Sequence, residues 1–187
     1  MHVQEAPGSR QAWPVSEAEA KEYLGLPDLY SSFRLAMLIE AAARAVERHS
    51  GYATTRRQID VYVGLPAPGQ PVAIPYPPLV SLDEVVVIQP DGEQTPLEAD
   101  ADYLLDTSGR VARLWLQQTP PAAMLIGQQR LRLRATVGYE SAQDVPAELR
   151  LAVLRTVAQM WEQKTTLVVP DVQPLEDPDL CRSWEIE

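Results

Sequence analysis

Histidines, cysteines and clustered carboxylates do most side-chain chemistry near neutral pH, and this chain holds few of them at useful spacing. His2 and His49 are the two histidines. His2 lies in the opening residues. His49 falls at the end of a helical pattern, where a cation suits the helix dipole. A Ser–His–Asp system would have to use His49, and no G-x-S-x-G elbow accompanies it. Cys181 is the single cysteine. It excludes an intrachain disulfide, fits a reduced intracellular setting and reads as a small hydrophobe rather than a nucleophile. Zinc needs about four ligands at defined spacing, which one cysteine and two scattered histidines do not supply. Glu98, Asp100, Asp102 and Asp106 invite a Ca²⁺ reading, yet they lack the glycine and the closing glutamate of a calcium loop. A solvated loop is expected there, with a metal-dependent small-molecule site as the alternative. Neither G-x-x-x-x-G-K-[ST] nor G-x-G-x-x-G occurs. No catalytic, metal or cofactor residue is therefore assigned, and the expected function is not enzymatic.

Two other groups of residues could work by contact. Arg130, Arg132 and Arg134 alternate with Leu131, Leu133 and Ala135, so the arginines share one face of a strand. That row either meets solvent or faces an acidic partner. After residue 164 the chain carries Leu167, Val168, Val169, Leu175, Leu180, Trp184 and Ile186. They are set among Pro170, Pro174 and Pro178, with Asp and Glu interleaved. Bulky apolar side chains on a proline-stiffened acidic segment want a partner surface; the alternative is that the segment folds back on its own domain.

The elements that must position these groups have to fit within 187 residues, the size of one domain. A chain of that length buries roughly two-thirds of its unfolded surface. Hydrophobic residues make up 45% and charged residues 22%, so a core forms without disulfides or metal. The net charge of −10 repels a phosphate backbone on average, which argues against DNA binding as the main task. The opening residues have neither a basic nor an apolar segment, so no secretory signal is expected. No apolar run is long enough to span a membrane.

Residues 1–15 are expected as an arm. Ser16 and Glu19 have the spacing of a capping box and open a helix over 16–25 that Gly25 ends. A second helix is predicted over 32–50. Leu35, Leu38, Ile39, Ala42, Ala45 and Val46 lie on its apolar side, and Glu40, Arg44, Glu47 and Arg48 on the other. Its alanine run 41–43 permits close approach of another helix, within the chain or from a neighbouring subunit. Residues 54–138 read as β. Ile59, Val61 and Val63 alternate with polar residues, 82–88 read as a strand buried on both faces, and Asp91-Gly92 marks a hairpin. Short strands are expected at 103–105 and 111–116, and the clearest lies at 130–137. A last helix is predicted over 146–164, with Asp144 as cap and Leu149, Val153, Val157, Met160 and Trp161 as its apolar stripe. The expected class is α+β: a helical core with an inserted antiparallel β region and extended arms at 1–15 and 165–187.

Five segments occur in a definite order. They are Ser16-Glu17-Ala18-Glu19-Ala20-Lys21-Glu22-Tyr23-Leu24; Leu38-Ile39 with Ala41-Ala42-Ala43, Val46-Glu47 and Ser50-Gly51; Pro75-Tyr76-Pro77-Pro78-Leu79-Val80-Ser81 with Asp91-Gly92; Tyr103, Asp106 and Gly109-Arg110-Val111; and Val137-Gly138-Tyr139, Asp144-Val145-Pro146 and Trp161-Glu162. Together, across about residues 16–164, they resemble the head–tail connector (adaptor) proteins of long-tailed double-stranded DNA phages and gene transfer agents. The first twelve residues and the segment after Lys164 are longer than in the simplest members. The resemblance implies a homo-oligomeric ring of 12 copies beneath the portal protein, located in the virion neck after assembly in the host cytoplasm. It implies a stopper or tail-terminator protein as the next component, and double-stranded DNA that passes through the lumen without sequence-specific binding. It implies no cofactor and no membrane, and a C-terminal segment that docks on the portal. A tail-completion or baseplate adaptor is the alternative.

Overall fold

The computed structural model describes residues 1–10, 12–27, 33–67, 69–89, 92–117 and 131–163. The class is α+β, with antiparallel sheets and three helices among the described residues. The chain divides into two compact units. One takes Met1–Gln11 with Arg56–Gly138, and its described elements are all strands. The other takes Ala12–Thr55 and the described residues from Tyr139 onward and is helical.

In the β unit, strands β1 (His2–Glu5), β2 (Arg57–Val63), β8 (Leu131–Val137), β4 (Leu79–Ile88) and β5 (Gln94–Pro96) form a five-stranded sheet in the order β1-β2-β8-β4-β5. Every neighbouring pair is antiparallel. Strands β3 (Val72–Ala73), β7 (Arg113–Leu116) and β6 (Tyr103–Asp106) form a second sheet in the order β3-β7-β6. Side chains alternate across a strand, so register assigns the faces. Ile59 stands opposite Ala135, Val61 opposite Leu133 and Val63 opposite Leu131, and all six are buried. Ile88 pairs with Gln94 in the expected hairpin; Asp91 of its turn lies outside the described residues.

Two sequence expectations change here. The strand predicted at 82–88 starts at Leu79 and is interrupted by irregular register near Ser81 and again before Glu84. Only Val85, Val86 and Val87 are buried in succession, because the irregularities turn the first half outward. The opening residues, expected as an arm, include strand β1 paired along β2. The tie is ionic as well as backbone. Glu5 grips Arg10 through Nε at 3.1 Å and Nη2 at 3.0 Å, and lies 3.5 Å from Nε of the buried Arg57. The Arg57 guanidinium also covers the Tyr76 ring at 5.1 Å. Tyr76 takes a φ of 61°, a left-handed conformation rare for a bulky residue.

In the helical unit, α1 (Glu17–Leu24) carries the expected capping box: the Ser16 hydroxyl accepts from the Glu19 N–H, and the Glu19 carboxylate accepts from the Ser16 N–H. Gly25 ends α1 in the left-handed region, which costs glycine little. Helix α2 (Phe33–Ser50) and helix α3 (Ala147–Glu162) pack on each other. Leu35, Ile39, Ala42, Ala43 and Val46 of α2 share one core with Leu149, Val153 and Val157 of α3. Ala42 and Ala43 are fully buried there, so these two members of the alanine run serve contacts within the chain. Pro146, not Asp144, stands at the α3 N-cap and makes no side-chain capping bond. Asp144 instead accepts from the N–H and hydroxyl of Ser141, closing the turn before the helix.

Candidate functional site

The arginine row sits on β8, the central strand of the larger sheet. Register places Asp60 of β2 on one side of Arg134 and Glu84 of β4 on the other. The Arg134 guanidinium donates to both oxygens of Asp60, at 2.9 and 3.3 Å, and approaches Glu84 at 3.7 Å. Arg132 donates to Glu84 at 2.8 Å. Hydrogen bonding to Asp60 holds Arg134 even more firmly protonated than usual. Asp83 beside them is resisted by partial burial, but the Ser81 hydroxyl, the Gln58 amide and the Thr136 hydroxyl outweigh that and lower its pKa. Arg132 keeps a buried Nε with no partner among the described residues. The row therefore meets carboxylates of its own sheet. Arg130 lies outside the described residues.

The acidic run builds turns. The Asp102 carboxylate accepts from the Glu98 N–H at 2.9 Å. Asp106 accepts from the hydroxyl and N–H of Ser108 at 2.6 and 2.9 Å, which lowers its pKa. Among the described residues no group of three or more His, Cys, Asp or Glu is placed to hold a metal ion. His2 lies 6.3 Å from the Tyr62 ring, and His49 stands exposed in the last turn of α2. No described helix is long and apolar enough to cross a membrane.

Glu47 departs from the sequence expectation. Placed on the polar side of α2, it is 3% exposed. Its carboxylate accepts from the N–H and the hydroxyl of Thr54, both at 2.8 Å. Glu47 thus holds the turn beyond Gly51 to the helix that the chain has just left. Helical spacing alone could not show this, because the partner arrives from beyond the helix.

Among the described residues, the outer side of α2 carries two strongly exposed large apolar side chains. Phe33 is 82% exposed and Met37 is 55% exposed. Ala41, Arg44 and Arg48 continue the same exposed stripe. Arg44 pairs with Glu40 at 3.1 Å and lies over the Trp13 ring. On the small sheet Leu104 and Leu105 of β6 are also exposed. The apolar residues expected to make contacts, Leu167, Val168, Val169, Leu175, Leu180, Trp184 and Ile186, lie outside the described residues.

No family model matches the sequence, and no curated protein matches it. Solved structures do. A chain in the virion of a native gene transfer agent particle is 21% identical, with a TM-score of 0.69 over 87% of this chain and 84% of that one. Chains in the neck of an empty gene transfer agent particle computed with C6 symmetry and in the neck of a native particle computed with C12 symmetry are each 20% identical. Their TM-scores are 0.70 and 0.68, over 89% of this chain and 86% of theirs. At such identity the likeness establishes a shared fold across nearly the whole length of both chains.

Proposed function

We propose that the chain is a structural subunit of a virion neck, a head–tail connector that forms a ring of 12 copies below the portal. The observation that carries this is the fold shared with neck chains of gene transfer agent particles over 89% of this chain. The ordered series of connector-like segments supports it independently. In this reading the ring extends the DNA channel and offers a platform to a stopper or tail-terminator protein. A ring subunit makes head-to-tail contacts that close by rotation. The acidic balance suits a lumen that double-stranded DNA passes without being gripped. Leu167, Val168, Val169, Leu175, Leu180, Trp184 and Ile186 are the proposed contacts to the portal. Since Arg132 and Arg134 meet carboxylates of their own sheet, the terminal segment rather than the arginine row carries the proposed docking.

The test mixes the purified chain with portal rings and images the product by electron microscopy. Twelvefold density added to the portal is expected for the full chain, and none for a chain ending at Lys164. Equal binding by both would remove the terminal segment from the docking role. Association with tails and not with portal-bearing heads would overturn the connector assignment.

A further inference from the structure

The outer stripe of α2 is patterned, and the pattern has a direction. Phe33 and Met37 make its first half apolar, while Arg44 and Arg48 make its second half basic. Glu40 is the acid within the stripe and is paired with Arg44. Arg48 has no carboxylate partner among the described residues. The chain leaves α3 at the apolar end of this stripe: the Arg34 guanidinium lies 5.4 Å from the Trp161 ring, so the last turn of α3 stands beside the first turn of α2. The sequence beyond α3 begins apolar, as the stripe does, and its first acids follow, interleaved with Leu175 and Leu180. Leu167-Val168-Val169 come first, then the acids Asp171, Glu176, Asp177 and Asp179.

We infer that in the free subunit residues 165–187 dock along the α2 stripe of their own chain. Leu167–Val169 then lie on Phe33 and Met37, and the later acids face Arg44 and Arg48. The reach is ample: the stripe runs about 23 Å at helical rise, and the segment extends up to roughly 75 Å. Tethering favours the chain's own segment over a neighbour's, because the covalent link supplies a high effective concentration. The tether at the apolar end and the charge complementarity at the basic end set the direction of docking. The inference concerns the isolated subunit and stands whether or not the chain joins a neck. If it does, the stripe keeps the portal-directed residues covered until assembly.

The single cysteine supplies the probe. A nitroxide attached at Cys181 of the full chain broadens nearby methyl signals, and Met37 carries a methyl in the stripe. Selective broadening of the Met37 methyl signal is expected, beyond that from free nitroxide in solution. Phe33→Ser should lower the docked-to-free ratio about tenfold, as loss of an aromatic contact would. Arg48→Glu should lower it about threefold, with a further loss at high salt. Both positions are exposed, so both variants should fold. Three results would overturn the inference: no broadening at Met37; broadening indifferent to both substitutions; or broadening only where label and isotope sit on different copies, which would make the occupant a second copy's segment.

Discussion

On β8, Arg132 and Arg134 find Glu84 and Asp60 across adjacent strands; on α2, Phe33, Met37 and Arg48 stand out in solvent. In the sequence the arginines are the more conspicuous, three in alternation, whereas the α2 residues pass for an ordinary solvated helix face. The partners decide otherwise. Asp60 lies 74 residues from Arg134 and Glu84 lies 48 from Arg132, so only strand register reveals that the row is neutralised. The outer side of a surface helix draws its neighbours mainly from three and four positions away, as Glu40 and Arg44 do. A row of like charges is evidence for a partner only after the fold has had the chance to answer it.

The contrast breaks most visibly at Glu47, the most buried of the carboxylates answered within the fold. Glu47→Ala strands the Thr54 N–H and hydroxyl and should cost about 3 kcal/mol in denaturant unfolding. A cost below about 1 kcal/mol would mean that water replaces the carboxylate and that the burial is permissive. Trp161 sits between the two regimes, half-buried on the α2–α3 core with Arg34 over its ring. Trp161→Ala should cost about 2 kcal/mol, less than the roughly 3–5 typical of a fully buried tryptophan. A loss near about 4 kcal/mol would place Trp161 in the core proper.

The salt bridge on the sheet should be smaller. A double-mutant cycle over Asp60→Ala and Arg134→Ala is expected to give a coupling of about 1 kcal/mol, since Arg134 is partly exposed and screened. A coupling indistinguishable from zero would return the arginine row to the class of unanswered charge and reopen it as a contact surface. Glu19 offers a pH test of the same idea. The Ser16 N–H, offset in part by burial and aided by the Ser16 hydroxyl and Arg150, holds its carboxyl below the usual value of 4.5. A depressed folded pKa means the ionised form stabilises the fold. That contribution is complete above pH 4.5 and fades as pH falls through the folded value. Glu19→Gln should therefore lower stability by about 0.5 kcal/mol at pH 7, and the two proteins should converge in acid.

Legibility in the sequence tracks the range of each interaction. The capping box at Ser16 and Glu19, the stop at Gly25 and the core stripe Leu149–Val153–Val157 are local, and all are present. Alternation at Ile59, Val61 and Val63 places β2 on the correct face. Strand β1 escapes a sequence reading because four residues carry too little periodicity, and its hold depends on Glu5 meeting Arg57 fifty-two positions later. Asp144 reads as a helix cap because aspartate shortly before Pro-Ala-Glu suits that role; the Ser141 turn competes for its carboxylate and wins. Glu47 escapes for the same reason as the salt bridges on β8, since its partner belongs to another segment.

The smallest effect is the most discriminating. Phe33 is the only phenylalanine in the chain and is 82% exposed. A side chain so exposed contributes little to the fold of the helical unit, so in the chain ending at Lys164, where no docking can be lost, Phe33→Ser should shift global stability by less than about 0.5 kcal/mol. Should the same substitution cost more than about 2 kcal/mol, Phe33 would be sealed inside the helical unit. The contrast between an answered sheet face and an unanswered helix face would then collapse. A near-zero change together with altered docking at the stripe has a different meaning: the chain keeps a large apolar side chain where folding has no use for it, and contact remains as its physical purpose.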